Sequence, residues 1–173
     1  MRLSLLAALV AALIIVPVAL ADSGTNTIAP GVQFTSGADP DRFLPPAEAA
    51  QAKAAPGYAG PQNCWNLQIN NEAPYGWLWD PYRYYTQLHW CGYAWVTSVY
   101  RSRGIYQAGA WQFLAWTQWQ PGGCVGCWQV NVRNSSQWKR TRPFNRDIFC
   151  HPTAYLEGRA GGSYYWSRSE NCD

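Results

Sequence analysis

The chain has 173 residues, 13 Lys/Arg against 10 Asp/Glu, two histidines and a formal net charge of +3. Its six cysteines and eleven tryptophans all fall between Cys64 and Asp173, which locates one disulfide-rich domain by size and composition. No G-x-S-x-G elbow, H-E-x-x-H helix or phosphate loop occurs, so the familiar motif-bearing enzyme classes are excluded.

The first segment is read as a secretion signal. Arg2 gives a positive start, Leu3 to Leu20 is apolar apart from Ser4 and is interrupted at Pro17, and Ala19-Leu20-Ala21 places small residues where a signal peptidase cuts. Cleavage is expected before Asp22, giving a signal over residues 1–21 and no transmembrane anchor afterwards. Residues 22–63 are rich in Ala, Pro and Gly and poor in aromatics. They are expected to form a largely disordered spacer or pro-segment. One short exposed helix is expected within it, started by Pro45-Pro46 and running through the alanine-rich stretch to Ala55.

Residues 64–173 are expected to be an all-β domain, a small antiparallel sandwich or barrel stapled by disulfides. Asn66–Asn70 alternates polar and apolar residues. Tyr84–Trp90 and Trp95–Tyr100 are aromatic and β-branched, with a turn at Gly92. Trp111–Trp119 is a further strand. Trp128-Gln129-Val130-Asn131-Val132-Arg133 is the cleanest alternation and predicts Trp128, Val130 and Val132 on one face, with Asn134-Ser135-Ser136 turning the chain toward Trp138. The same three residues form a glycosylation sequon, relevant to a eukaryotic source. Thr153–Arg159 and Ser163–Ser167 read as a hairpin around Gly161-Gly162.

Six cysteines in an exported domain predict three disulfides among fifteen arrangements. The pairs expected are Cys64–Cys172 joining the ends, Cys91–Cys150 joining two strands, and Cys124–Cys127 closing a local loop. That C-x-x-C is read as a staple because glycines and a strand, rather than a helix, flank it. His89, Cys91, Cys150 and His151 have the residue types of a zinc site but not its spacing. No metal or cofactor is assigned. Glu72 with Asp80, and His151 with Asp147, are the pairs from which a hydrolase could be assembled.

Trp65, Trp90, Trp95, Trp116, Trp128 and Trp166 are expected to fill the interior. Trp77, Trp79, Tyr82 and Tyr84 crowd around Asp80-Pro81, a turn-forming segment, and are the candidate binding rings. The run Trp138–Arg146 adds Lys139, Arg140, Arg142 and Arg146. It holds much of the positive charge of a domain with ten Lys/Arg against six Asp/Glu.

Leu88-His89-Trp90-Cys91-Gly92, then Trp95-Val96-Thr97-Ser98-Val99, Phe149-Cys150 and Gly162-Ser163-Tyr164-Tyr165-Trp166, resemble small exported β-domains of uncharacterised function from actinobacteria-like sources. More remotely they resemble the small β-sandwich of lactococcin-972-type bacteriocins, from whose cysteine-poor pattern this chain departs. The likeness covers Leu88 to Trp166 and transfers no site residue. The function expected is that of a secreted, non-enzymatic protein binding a cell-wall glycan or an extracellular protein, with a glycan preferred. A bacteriocin-like effector or protein inhibitor is the alternative, and a small extracellular hydrolase the third reading. Nucleic acid is not an expected partner for an exported chain.

Overall fold

The computed structural model describes residues 20–37, 45–54, 63–72 and 82–173. The expected signal up to Ala19, and Trp77, Trp79 and Asp80, lie outside them. The protein is all-β, with two antiparallel sheets facing each other across one core. One sheet has the order β1 (Leu20–Thr25), β10 (Tyr164–Glu170), β9 (Thr153–Arg159), β7 (Gln129–Arg140), β6 (Gln112–Gly123), and β8 (Ile148–Cys150) pairs with the far end of β7. The other has the order β2 (Val32–Gly37), β3 (Asn63–Glu72), β4 (Arg83–Gly92), β5 (Val96–Gln107). A nine-residue helix, α1 (Pro46–Ala54), precedes β3.

The core follows from period-two alternation read through the pairing register. Leu67 pairs with Leu88 and Trp65 with Trp90 across β3 and β4, so these side chains share one face. Val130, Val132, Leu156, Tyr164 and Trp166 meet them from the opposite sheet. Two glycines set the distance between the sheets. A Cβ on Gly158 would lie 2.5 Å from Trp90 Cε2, and one on Gly162 would lie 2.5 Å from Trp65 Cε2. The buried Trp90 Nε1 donates to Arg159 O at 2.9 Å, which fixes the ring in place. A second cluster fills the other end: Tyr82 stacks on Trp138 at 4.4 Å and 9°, with Trp111 edge-on to Tyr82 at 5.2 Å.

The sandwich is closed laterally by crossings between edge strands. β5 and β6 are edges joined through residues 108–111, and Arg101 and Arg103 on β5 point inward between them. Arg101 donates to Asn131 O and Gly122 O. The Arg103 guanidinium lies 4.6 Å from both the Trp116 and Trp119 rings and donates to Gln118 O and Asn134 Oδ1. Inward charges on an edge strand discourage pairing with another chain, and here they also bind the two sheets together. Burial holds both guanidiniums below their ordinary pKa.

Four expectations are corrected. Residues 20–37 are not a spacer: β1 pairs with β10, β2 pairs with β3, and Asn26, Thr27 and Pro30 hydrogen-bond to Tyr164, Trp166 and Arg168. The sheets therefore begin well before Cys64, and the cleavage expected before Asp22 falls inside β1. β1 is held by its backbone pairing with β10, whereas β2 also sends Val32 into the core and stacks Phe34 on Tyr164 at 4.2 Å, an alternation too short to read as a strand from sequence. The expected helix is present as α1, yet Ala49 is buried against Cys64 and Cys91 rather than exposed.

The disulfides are Cys64–Cys91, Cys124–Cys127 and Cys150–Cys172. The local staple is as expected, but Cys64–Cys172 and Cys91–Cys150 are not formed. Cys64 and Cys91 sit opposite each other in the β3–β4 register, and Cys172 bridges to Cys150 at the end of β8, so each thiol has a nearer partner. Finally, Asn134-Ser135-Ser136 is not a turn but the middle of β7. Asn134 is fully buried and its Nδ2 donates to Thr86 Oγ1 at 2.8 Å, which leaves no room for a glycan.

Two outcomes follow from this packing. Gly158→Ala forces a methyl into the immobile Trp90 ring and is expected to cost about 1–3 kcal/mol in chemical denaturation; an unchanged midpoint would show that the sheets are not held at that spacing. The Glu170 carboxyl, which accepts from Tyr82 Oη, is pushed up to about 7, first by burial and then by Glu72. Because the folded state holds this proton more tightly than the unfolded chain, stability is greatest below the ordinary carboxyl pKa of 4.5 and falls as pH rises toward about 7. Melting temperatures of Glu170→Gln minus wild type should therefore climb across that window; a flat difference would contradict the assignment.

Candidate functional site

At the end of the sandwich where β7 begins, three loops converge: Tyr93–Trp95 between β4 and β5, Cys124–Trp128 between β6 and β7, and residues 160–163 between β9 and β10. Gly92 makes the convergence sterically feasible, since a Cβ there would lie 2.7 Å from Trp95 O and 3.3 Å from Ala160 O. Backbone bonds tie the loops to one another. Val96 N donates to Cys127 O and Gly126 N to Val96 O, each at 2.7 Å, and Ala160 N donates to Trp128 O at 2.9 Å. The Cys124–Cys127 disulfide closes the middle loop, and Gly123 and Gly126 take the left-handed backbone angles it needs, at φ 78° and 87°.

Large rings project from this braced frame. Tyr93 is 83% exposed, Trp128 62% and Trp95 48%, with the apolar Val125 exposed beside them. The Arg159 guanidinium covers one side of Trp128 at 5.4 Å and pairs with Glu157 Oε1 at 3.0 Å, so its charge is balanced. Between Trp95 and Trp128 lies an open cavity of about 590 Å³, also lined by Ala94, Gly123, Gly126, Cys127, Gln129 and Asn131. Those lining residues offer flat apolar faces, two carboxamides and backbone polar groups, and no ionisable side chain. Such a surface can stack on the CH face of a ring and hydrogen-bond its hydroxyls.

The candidate rings named from sequence are placed differently. Tyr82 and Tyr84 are fully buried in the second aromatic cluster, which corrects their assignment as exposed binding residues. Tyr82 Oη donates to Glu170 and Tyr84 Oη accepts from Asn71; burial drives both phenol pKa values upward. Trp77 and Trp79 lie outside the described residues. Trp65, Trp90 and Trp166 fill the core as expected, whereas Trp95 and Trp128 are surface rings and Trp116 is half-buried. Trp128 escapes the inward face of Val130 and Val132 because it precedes β7 and belongs to the disulfide loop.

The basic run sits at the opposite end of β7. Lys139 Nζ pairs with Asp147 Oδ2 at 2.7 Å, Arg140 lies 5.9 Å from the Trp111 ring, and Arg142 Nε donates to Arg146 O at 3.0 Å. Lys139 holds the Asp147 carboxyl below its usual range, and in pairing with Lys139 Asp147 is engaged elsewhere than His151. Glu72 pairs with Arg83 at 2.8 Å, and Asp80 lies outside the described residues. Cys91 and Cys150 are oxidised, and among the described residues no group of three His, Cys, Asp or Glu converges on a metal position. His89 is buried on the face of β4 away from the main core, against Tyr100, and that burial pushes it down to about 4.

Sequence reasoning missed Tyr93 and misplaced Trp95 and Trp128. The signal was local: two of the rings follow Gly92, and the third directly follows the cysteine staple, so all three belong to turns rather than strands. Comparison of the chain with protein-family models, with curated proteins and with solved structures finds no match.

Proposed function

We propose that this protein is a secreted, non-enzymatic binding protein that recognises a glycan of the cell envelope or extracellular space through exposed aromatic rings. The observation that carries this reading is the pair Trp95 and Trp128, which line an open cavity, with Tyr93 exposed on the same loop as Trp95, all braced by a disulfide and inter-loop backbone bonds. A soluble domain gains nothing in its core from leaving three such rings in water, and exposed apolar patches mark binding surfaces. Bracing the loops reduces the ordering entropy that binding must overcome.

The cavity lining favours a neutral saccharide. Gln129 and Asn131 supply amide donors and acceptors suited to hydroxyls, and no lining side chain carries charge. Three disulfides, and no helix among the described residues long and apolar enough to cross a membrane, fit an extracellular protein. Secretion itself rests on the signal-like segment.

Capture on insoluble peptidoglycan, chitin and cellulose tests the reading. Trp95→Ala and Trp128→Ala should each weaken capture by about five- to ten-fold, the worth of one ring contact, and the double variant should abolish it. Stability should stay within about 1 kcal/mol of wild type, as for surface positions generally. Capture should also survive 1 M salt, because no charge is used. A folded double variant that binds as wild type does would remove these rings from the site. Growth inhibition of neighbouring cells without any polymer capture would favour the effector reading instead.

A further inference from the structure

The hairpin loop between β7 and β8 carries a second, chemically different surface. Its base is fixed by the pairs Trp138–Cys150, Lys139–Phe149 and Arg140–Ile148, by the Cys150–Cys172 bridge, and by the Lys139–Asp147 ion pair. Across the turn, Asn145 N donates to Arg142 O and Arg142 Nε donates to Arg146 O. At the tip, Phe144 is fully exposed and takes φ 68°. A bulky residue in the left-handed region is strained, and this one gains no burial in return. Asp147 pairs with Lys139 and also lies in the field of Arg142, yet Lys139, Arg140, Arg142 and Arg146 face that single carboxylate within the loop, so the loop keeps an excess of positive charge.

We infer that this loop docks the protein on an anionic lipid bilayer, with the Phe144 ring entering the interface and Arg140, Arg142 and Arg146 resting on lipid phosphates. An aromatic tip ringed by cations matches the two layers of such a surface, apolar just below and negative above. Soluble polyanions would engage the arginines but give the ring nothing to enter. Single-stranded nucleic acid is bound by successive rings along a charged groove, and a single ring at a convex tip offers no groove.

The test uses the protein in the form that an expressing cell exports, with its N-terminus set by mass spectrometry. It is mixed with vesicles of phosphatidylglycerol and phosphatidylcholine, with pure phosphatidylcholine vesicles, and with soluble polyphosphate and a single-stranded oligonucleotide. Wild type should co-sediment with the anionic vesicles far better than with neutral ones, and release as salt rises. Arg142→Gln with Arg146→Gln should weaken this by about twenty-five-fold, taking about five-fold per cation. Phe144→Ala should weaken vesicle binding by about ten-fold and leave any polyphosphate binding unchanged, with melting temperatures at or above that of wild type.

Phe144→Trp supplies a readout independent of whatever else holds the chain on a vesicle. Its emission should gain quenching by brominated acyl chains relative to wild type. Equal quenching, full vesicle binding by Phe144→Ala, or binding confined to polyphosphate or the oligonucleotide would each overturn the inference.

Discussion

Between the two sheets the buried Trp90 indole occupies the space that a side chain at position 158 would need, and its Nε1 is hydrogen-bonded to Arg159 O. That contact sets the spacing of the sandwich, and its effects reach the surface. The residue whose carbonyl receives Trp90 also places its guanidinium over Trp128, with Glu157 holding it from behind. The neighbouring Ala160 N then bonds Trp128 O. The exposed ring is thus positioned by three successive constraints that begin in the core. A packing change at Gly158 would reach the loops without touching any of them.

The disulfides work locally rather than as long-range ties. Cys64–Cys91 joins paired residues of adjacent strands 27 positions apart, and Cys150–Cys172 holds the last residues to β8 over 22. In the chain-entropy model loops of this size contribute about 3–3.5 kcal/mol each, somewhat less than end-to-end bridges would. The topology must therefore be specified by other means. The inward arginines of β5 and the early strands β1 and β2 do much of this, because each closes one open side of the sandwich and leaves fewer alternative pairings.

What the sequence disclosed depended on whether the information was local. Alternation in β3 and at the start of β7, the aromatic and β-branched run of β4, the Gly161-Gly162 hairpin, the C-x-x-C staple and the helix after Pro45-Pro46 were all legible, since each is determined by neighbours within a few residues. β1 and β2 were not. Val32 and Phe34 of β2 reach the core, but two apolar residues are too short a pattern to read as a strand, and nothing in LADSGT or VQFTSG records the backbone partners that order them. Disulfide partners depend on register, which a sequence without known strand pairing does not contain. The candidate site failed for a related reason. Tyr82 and Tyr84 follow a turn-forming segment, yet pairing with β3 and β5 carries Tyr84 into the interior, and stacking on Trp138 draws in Tyr82. Trp128 sits one residue outside the strand whose pattern seemed to include it.

The two proposed surfaces divide the chemistry of the molecule along a single strand. β7 starts beside Trp128 and ends at Arg140, and its 12 residues extend roughly 40 Å at about 3.3 Å per residue. The neutral, ring-lined cavity lies at one end and the cationic tip at the other. The separation has an electrostatic consequence, because it is several Debye lengths at physiological salt. The arginines of the tip therefore neither attract nor repel a ligand at the cavity, and a saccharide bound there as proposed would be selected by shape and hydroxyl geometry. It also has a mechanical one. β7 is paired along its length with β6, and with β9 and then β8 on its other side, so the span is stiff. A protein docked by Phe144 would present Tyr93, Trp95 and Trp128 at a fixed height above the bilayer, facing away from it, where an envelope polymer rather than a lipid headgroup lies within reach.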